Sequence, residues 1–277
     1  MKLYRHWARA RVDDQGRVDP RGSFLALGWS EISEEEAAEL ALQRAIKFSD
    51  AFGGRKPWKR EEYYVDRPPR EPLEGEVEFE GRVVAGVTRN VYGARVLNAA
   101  HAIFVDMDTT PVKPRAYNAT IERWIESDLV VRRASRVVER HPGMGMRLYQ
   151  TAAGYRGLIT TEVMSPTSSE SISLLKEFRT DKLYARLCLS QETYRARLTP
   201  KPWRCGLGRP YMAYPWANDQ LECKFQDWRG AYEEVIQEFA TCSYVGVLGE
   251  EAVMPEIKPI LELHDRETRA TTRLTLA

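Results

Sequence analysis

Two aspartates, Asp106 and Asp108, stand two residues apart at the end of the apolar run Ala102-Ile103-Phe104-Val105. On a strand that spacing points both carboxylates to one side. Two like charges on one side repel, so the pair is costly unless a cation sits between them. Hard oxygen donors at a strand end suit Mg²⁺ or Mn²⁺, which would also hold a substrate's phosphates and align an in-line displacement at phosphorus. The plain alternative is a strand that ends in Asp because its turn asks for one. The deeply apolar approach favours a site, since it buries the strand and leaves both acids at its edge.

A second set of candidates is basic and aromatic. Between residues 193 and 218 there is no acid, but there are five basic residues (Arg195, Arg197, Lys201, Arg204, Arg209) and five aromatics (Tyr194, Trp203, Tyr211, Tyr214, Trp216). Arginine forks suit phosphate, and aromatic faces stack bases. Pro200 and Pro202 hold the segment extended, which lowers its ordering cost. A solvated surface loop is the competing reading, although such a loop is expected to mix in acids. A third element, Arg147-Leu148-Tyr149-Gln150-Thr151-Ala152-Ala153-Gly154-Tyr155-Arg156, places small residues at a hairpin tip. There backbone N–H groups can approach an anion, with Arg147 or Arg156 completing the charge. Arg132, Arg133, Arg136 and Arg140 read as the solvated face of a helix.

Composition narrows the class. The chain has 277 residues, 43% hydrophobic and 29% charged, which excludes a wholly disordered, collagen-like or disulfide-dense chain. Its net charge of +1 confines any nucleic-acid surface to a local patch. No apolar run is long enough for a membrane span and the start is no secretory signal, so a cytoplasmic protein without membrane contact is expected. Cys188, Cys205, Cys223 and Cys242 contain no CxxC pair; reduced, mostly buried thiols are expected rather than a zinc site.

These residues need elements to position them. Alternation and turns predict strands at 3–12 and 23–29, then a helix capped by Ser33 with Glu36 and running to about Phe52, where Gly53-Gly54 stops it. This N-terminal ββα segment (1–60) precedes a Pro-bearing extended connection (61–75) and an α+β domain (76–277). Within the latter the pattern predicts a hairpin over 76–90, strands at 92–98 and 102–108, and a long helix over 118–140. Strands at 146–151 and 155–161 follow, then helices from Ser168 to about Phe178 and over 181–189. From residue 102 the order strand, helix, strand, strand, helix is most of a split βαβ unit, the ferredoxin/RRM-like arrangement. The last ninety residues read as aromatic-rich and irregular, with a helix at 232–240 and strands near 244–248 and 257–263. His264-Asp265 invites a metal-phosphohydrolase reading. That chemistry needs more histidines than His6, His101 and His141 supply, so a polar strand end is expected there.

The order of these features resembles the catalytic core of the archaeo-eukaryotic primases, the primase-polymerase superfamily, over residues 102–206. Phe104-Val105-Asp106-Met107-Asp108 resembles the family's first metal motif. Thr151-Ala152-Ala153-Gly154-Tyr155-Arg156 resembles its small-residue turn, with Arg156 in the place of a phosphate-binding histidine. The segment 195–206 resembles its late Arg/Pro stretch. The resemblance implies divalent ions on Asp106 and Asp108 with Asp181, or else Glu192, as third acid. It implies a nucleoside triphosphate on Arg147, Arg156 and Lys201, and a single-stranded or template nucleic acid along Arg195, Arg197, Trp203 and Arg204. The expectation is therefore metal-dependent nucleotidyl or phosphoryl transfer. The alternatives are a non-catalytic nucleic-acid or nucleotide binder on the same fold, and a structural or interaction protein whose acidic and basic tracts pair with each other.

Overall fold

In the computed structural model the described residues are 1–52, 68–109 and 119–277, with the side chains of 119–127 excepted. The expected stop at Gly53-Gly54 and the first half of the connection at 61–75 lie outside them.

Strands β1 (His6–Val12) and β2 (Phe24–Ser30) pair antiparallel, and helix α1 (Glu34–Phe52) packs on them. As the sequence predicts, Ser33 Oγ accepts the Glu36 N–H at 3.2 Å, and Glu34, Glu35 and Glu36 occupy the positive end of the helix. The buried face of α1 is Ala37, Ala41, Ala45 and Ser49, a stripe of small residues at four-residue spacing. It lets the helix approach so closely that a Cβ on Gly28 would lie 1.9 Å from the Ala37 carbonyl oxygen.

Of the remaining strands, eight form two four-stranded sheets around one core. In the first, β3 (Leu73–Phe79), β4 (Arg82–Arg89), β5 (Arg95–Ala99) and β9 (Tyr194–Arg197) lie in the order β3-β4-β5-β9, all antiparallel. The second contains β6 (Ala102–Asp108), β7 (Gly145–Thr151), β8 (Gly154–Val163) and β11 (Cys242–Gly249) in the order β11-β7-β8-β6. Helix α2 (Ala119–Arg140) connects β6 to β7 and packs against β8 and β11. Because β8 is antiparallel to both β6 and β7, β6 and β7 run parallel with β8 between them. This is the split βαβ arrangement within an α+β fold. Its fourth strand does not return beside β6 in that sheet: β9 bonds to β5 instead, and β11 extends the free edge of β7.

Two helices follow β8. In α3 (Ser169–Glu177), Ser168 Oγ accepts the Ser171 N–H; in α4 (Lys182–Gln191), Asp181 Oδ1 accepts the Tyr184 N–H at 2.7 Å. Ser168 is the cap of the two, Ser168 or Ser169, that the sequence offers, and Asp181, expected as the first residue of a helix over 181–189, is that helix's cap.

The last ninety residues are more regular than their sequence implies. The expected helix at 232–240 is a longer and earlier one, α5 (Asp219–Val235), capped by Asn218. Leu221, Phe225, Trp228 and Tyr232 follow helical spacing, but their bulk and Gly230 disguise it. The expected strand at 257–263 is helix α6 (Lys258–Thr268). Ile257, Ile260, His264 and Thr268 form its fully buried face, so the polar strand end expected at His264-Asp265 is instead the middle of a helix. Short strands β10 (Phe239–Ala240) and β12 (Thr275–Leu276) pair parallel and tie the C-terminus to α5's satellite core. The four cysteines are free thiols; Cys188, Cys205 and Cys242 are buried and Cys223 is exposed. Among the described residues no helix is long and apolar enough to cross a membrane.

Candidate polyphosphate and metal site

The register of the second sheet builds a row of side chains on one face. Asp106 on β6 faces Arg156 on β8, Arg156 faces Tyr149 on β7, and Tyr149 faces Tyr244 on β11. Asp108 shares that face and pairs with Gly154, where a Cβ would lie 2.3 Å from the Met107 carbonyl oxygen. The small residue in the hairpin thus serves first to let β8 start tight against the acidic strand end.

The outer edge of β6 is closed by α4. Asp181 N–H donates to the Asp106 carbonyl at 2.9 Å, and Tyr184 Oη donates to the Phe104 carbonyl at 2.9 Å. The contact protects the strand edge and brings a third carboxylate into the electrostatic reach of the pair. The Asp108 carboxyl is pushed above its ordinary range by burial, then by the charges of Asp106 and Asp181, with Lys201 and Arg197 opposing. Glu192 plays no such part: it is the left-handed C-cap of α4 and pairs with Lys2 at 2.8 Å.

The cations come from β9 and the turn after it. Arg197 lies at the end of β9 beside β6, and its Nε is sealed from solvent with no hydrogen-bond partner. Burial, then the charges of Arg156 and Arg204, pull its guanidinium down to about 10, with Asp106 opposing. Lys201 is likewise lowered by burial and by Arg197 and Arg204, with Asp106 and Asp108 opposing. Arg156 is 4% exposed and donates from Nη1 to the Arg197 carbonyl at 2.9 Å. Among the described residues none of Arg156, Arg197, Lys201 and Arg204 forms an ion pair, and neither do Asp106, Asp108 and Asp181. Acids and bases influence one another electrostatically without closing into ion pairs.

Other candidates are engaged elsewhere. Arg195 Nη2 donates to both carboxylate oxygens of the buried Glu71 at 2.7 and 2.8 Å, and its Nη1 donates to Gln191. Arg147 is held by Asp265 at 2.6 Å and lies 4.2 Å from the Tyr244 ring centre. Trp203, 42% exposed, stands next to the cations with Lys201 5.5 Å from its centre. Arg209 lies over both Trp203 (4.6 Å) and Tyr92 (5.0 Å). Arg209 belongs to the acid-free tract, but only the β4–β5 turn that delivers Tyr92 reveals its partner.

Among the described residues no group of three His, Cys, Asp or Glu side chains is arranged to hold a metal ion. The carboxylates that could hold Mg²⁺ or Mn²⁺ are Asp106 and Asp108, oxygen donors two apart at the end of β6. Such ions are commonly held by one or two carboxylates together with substrate phosphates, rather than by an all-protein cage, and the charges of Asp106 and Asp181, which add to burial in raising Asp108, are what a cation relieves. Comparison with protein-family models, with characterised proteins and with solved structures finds no match to this chain.

Proposed function

We propose that this cluster of acids and bases binds a nucleoside triphosphate with a divalent cation and transfers the nucleotidyl group on nucleic acid, in the manner of a primase-polymerase. The observation that carries the reading is that acids (Asp106, Asp108, Asp181) and cations (Arg156, Arg197, Lys201, Arg204) come within electrostatic reach of one another without forming ion pairs among the described residues. A structural protein would let them neutralise each other. A metal polyphosphate supplies both missing charges at once: its cation for the acids, its phosphates for the arginines and lysine.

When bound, the ion would neutralise charge developing at the transferred phosphorus. Asp106 and Asp108 would hold it, Asp181 would fix the main chain of Asp106, and Arg156, Arg197 and Lys201 would orient the phosphates. Arg204 and the exposed face of Trp203 would carry a strand's phosphate and base. A non-catalytic nucleotide binder is favoured by one residue: Arg156 stands where the family has a histidine, and a guanidinium exchanges no proton near neutral pH.

Thermal unfolding with Mn²⁺ plus a nucleoside triphosphate tests binding. At 100-fold excess over Kd a ligand adds about 2.7 kcal/mol, a rise in Tm of roughly 5 °C or more for a chain of this size. The wild type should respond and the Asp106→Ala/Asp108→Ala variant should not. Equal behaviour of the two overturns the metal–nucleotide site. Template-directed incorporation by the wild type then separates transferase from binder.

A further inference from the structure

We propose that His264 and Asp265 of α6 position Arg156, holding its guanidinium by one nitrogen so that its remaining two-pronged edge is kept for phosphate. The inference rests on the polyphosphate reading above and adds to it a pair of residues from outside the resemblance.

His264 is fully buried, its ring 4.7 Å from that of Tyr149 and 5.4 Å from that of Phe104. Its Nδ1 lies 3.1 Å from Asp265 Oδ1 and its Nε2 lies 3.3 Å from Arg156 Nη1. Arginine has only donors. Nε2 must therefore present its lone pair, and the ring proton must sit on Nδ1, donated to Asp265. Asp265 is itself fixed from two sides, accepting from Tyr149 Oη at 2.7 Å and from Arg147 Nη2 at 2.6 Å. The chain of contacts runs in one direction: Arg147 and Tyr149 hold Asp265, Asp265 sets the tautomer of His264, and His264 holds Arg156.

The grip on Arg156 is selective. Nη1 carries two hydrogens, and the Arg197 carbonyl and His264 Nε2 take them both. Nε and Nη2 have no partner among the described residues and are absent from the nitrogens sealed without one. That is the edge with which arginine grips a carboxylate or phosphate side-on. Elsewhere in this chain Arg89 uses the same two nitrogens on Glu74, at 2.5 and 3.1 Å. The neutral imidazole also spares the cluster a further buried cation.

The test uses inorganic tripolyphosphate as the probe, with its affinity measured by calorimetry at neutral pH. His264→Leu removes the acceptor, His264→Gln places an amide oxygen near the position of Nε2, and Asp265→Asn frees the tautomer. His264→Leu and Asp265→Asn should each weaken tripolyphosphate by roughly tenfold, while His264→Gln stays within about threefold of the wild type. Nitrogen-15 spectra of the wild type, in which only four histidines need assignment, should show one with an unprotonated Nε2 and a protonated Nδ1. Unchanged affinity in His264→Leu overturns the proposal. So does equal loss in folded His264→Gln and His264→Leu, or a protonated Nε2 in the wild type, which needs no variant to fold. A wild type that binds no tripolyphosphate at all is a different result: it sinks the polyphosphate reading itself, and the positioning role with it.

Discussion

Arg197 carries a buried charge that no ion pair among the described residues answers. Its Nε is sealed and unpartnered, and the repulsion of Arg156 and Arg204 is only partly offset by Asp106. A buried donor without a partner costs about 1–3 kcal/mol. Arg197→Met keeps the length and removes the charge, so it should raise the Tm of the ligand-free protein by about 2–4 °C per kcal/mol recovered while abolishing tripolyphosphate binding. A fall in both would show that Arg197 has a structural partner. His264 gives a pH signature of the opposite kind. Burial pulls its imidazole down to about 4, with Arg156 and Arg147 lowering it and Asp265 opposing. With the folded value below the unfolded one of about 6.5, the stabilisation is complete above pH ~6.5 and is lost as pH falls towards ~4. The urea midpoint should therefore drop over that window in the wild type, and the drop should be shallower in His264→Gln. The roles of the two residues differed in how far the sequence disclosed them. Arg197 stood out because its tract lacks acids. His264 was visible as a residue, but its role was not, because its meaning depends on contacts with β7 and β8 more than a hundred positions away.

At the scale of elements, the sequence was most legible where caps and glycines punctuate it. Ser33, Ser168 and Asp181 begin helices as expected, and the strand carrying Asp106 and Asp108 has the bounds its apolar run implies. It was least legible in α5 and α6, where helical spacing is carried by aromatics, by a histidine and by a Pro at the helix start. Those residue types also suit strands, so local propensity opposed the period and tertiary packing decided. The close fit of β2 against α1 offers a sharper test of packing. Gly28→Ala places a methyl 1.9 Å from the Ala37 carbonyl oxygen; backbone cannot rotate aside, so α1 must lift from β2. A loss of about 2–3 kcal/mol, read as a lower urea midpoint with early proteolysis of the N-terminal unit, is expected. A neutral effect would mean that α1 packs more loosely than its alanine stripe implies.

Across the whole molecule, two sheets meet where β9 runs beside β6, β9 bringing Arg197 to the acids of β6 and to Arg156 of β8. Half of that meeting could be read from the chain: the acidic strand, the helix and the hairpin were legible, whereas the departure of β9 to pair with β5 was not, since four residues of strand carry no record of their partner. Arg195 and Arg197 alternate with buried residues on β9, and Glu71 anchors the first while no ion pair among the described residues answers the second. The consequence is kinetic. A local cluster of partly buried cations on a chain of net charge +1 acts over about one Debye length, so it should hasten encounters with polyanions at short range only. Raising salt from about 50 to about 200 mM should slow association with a single strand steeply while leaving dissociation comparatively little changed. Stopped-flow traces with a labelled oligonucleotide would show it, and an association rate indifferent to salt would mean that the cations are spoken for before any strand arrives.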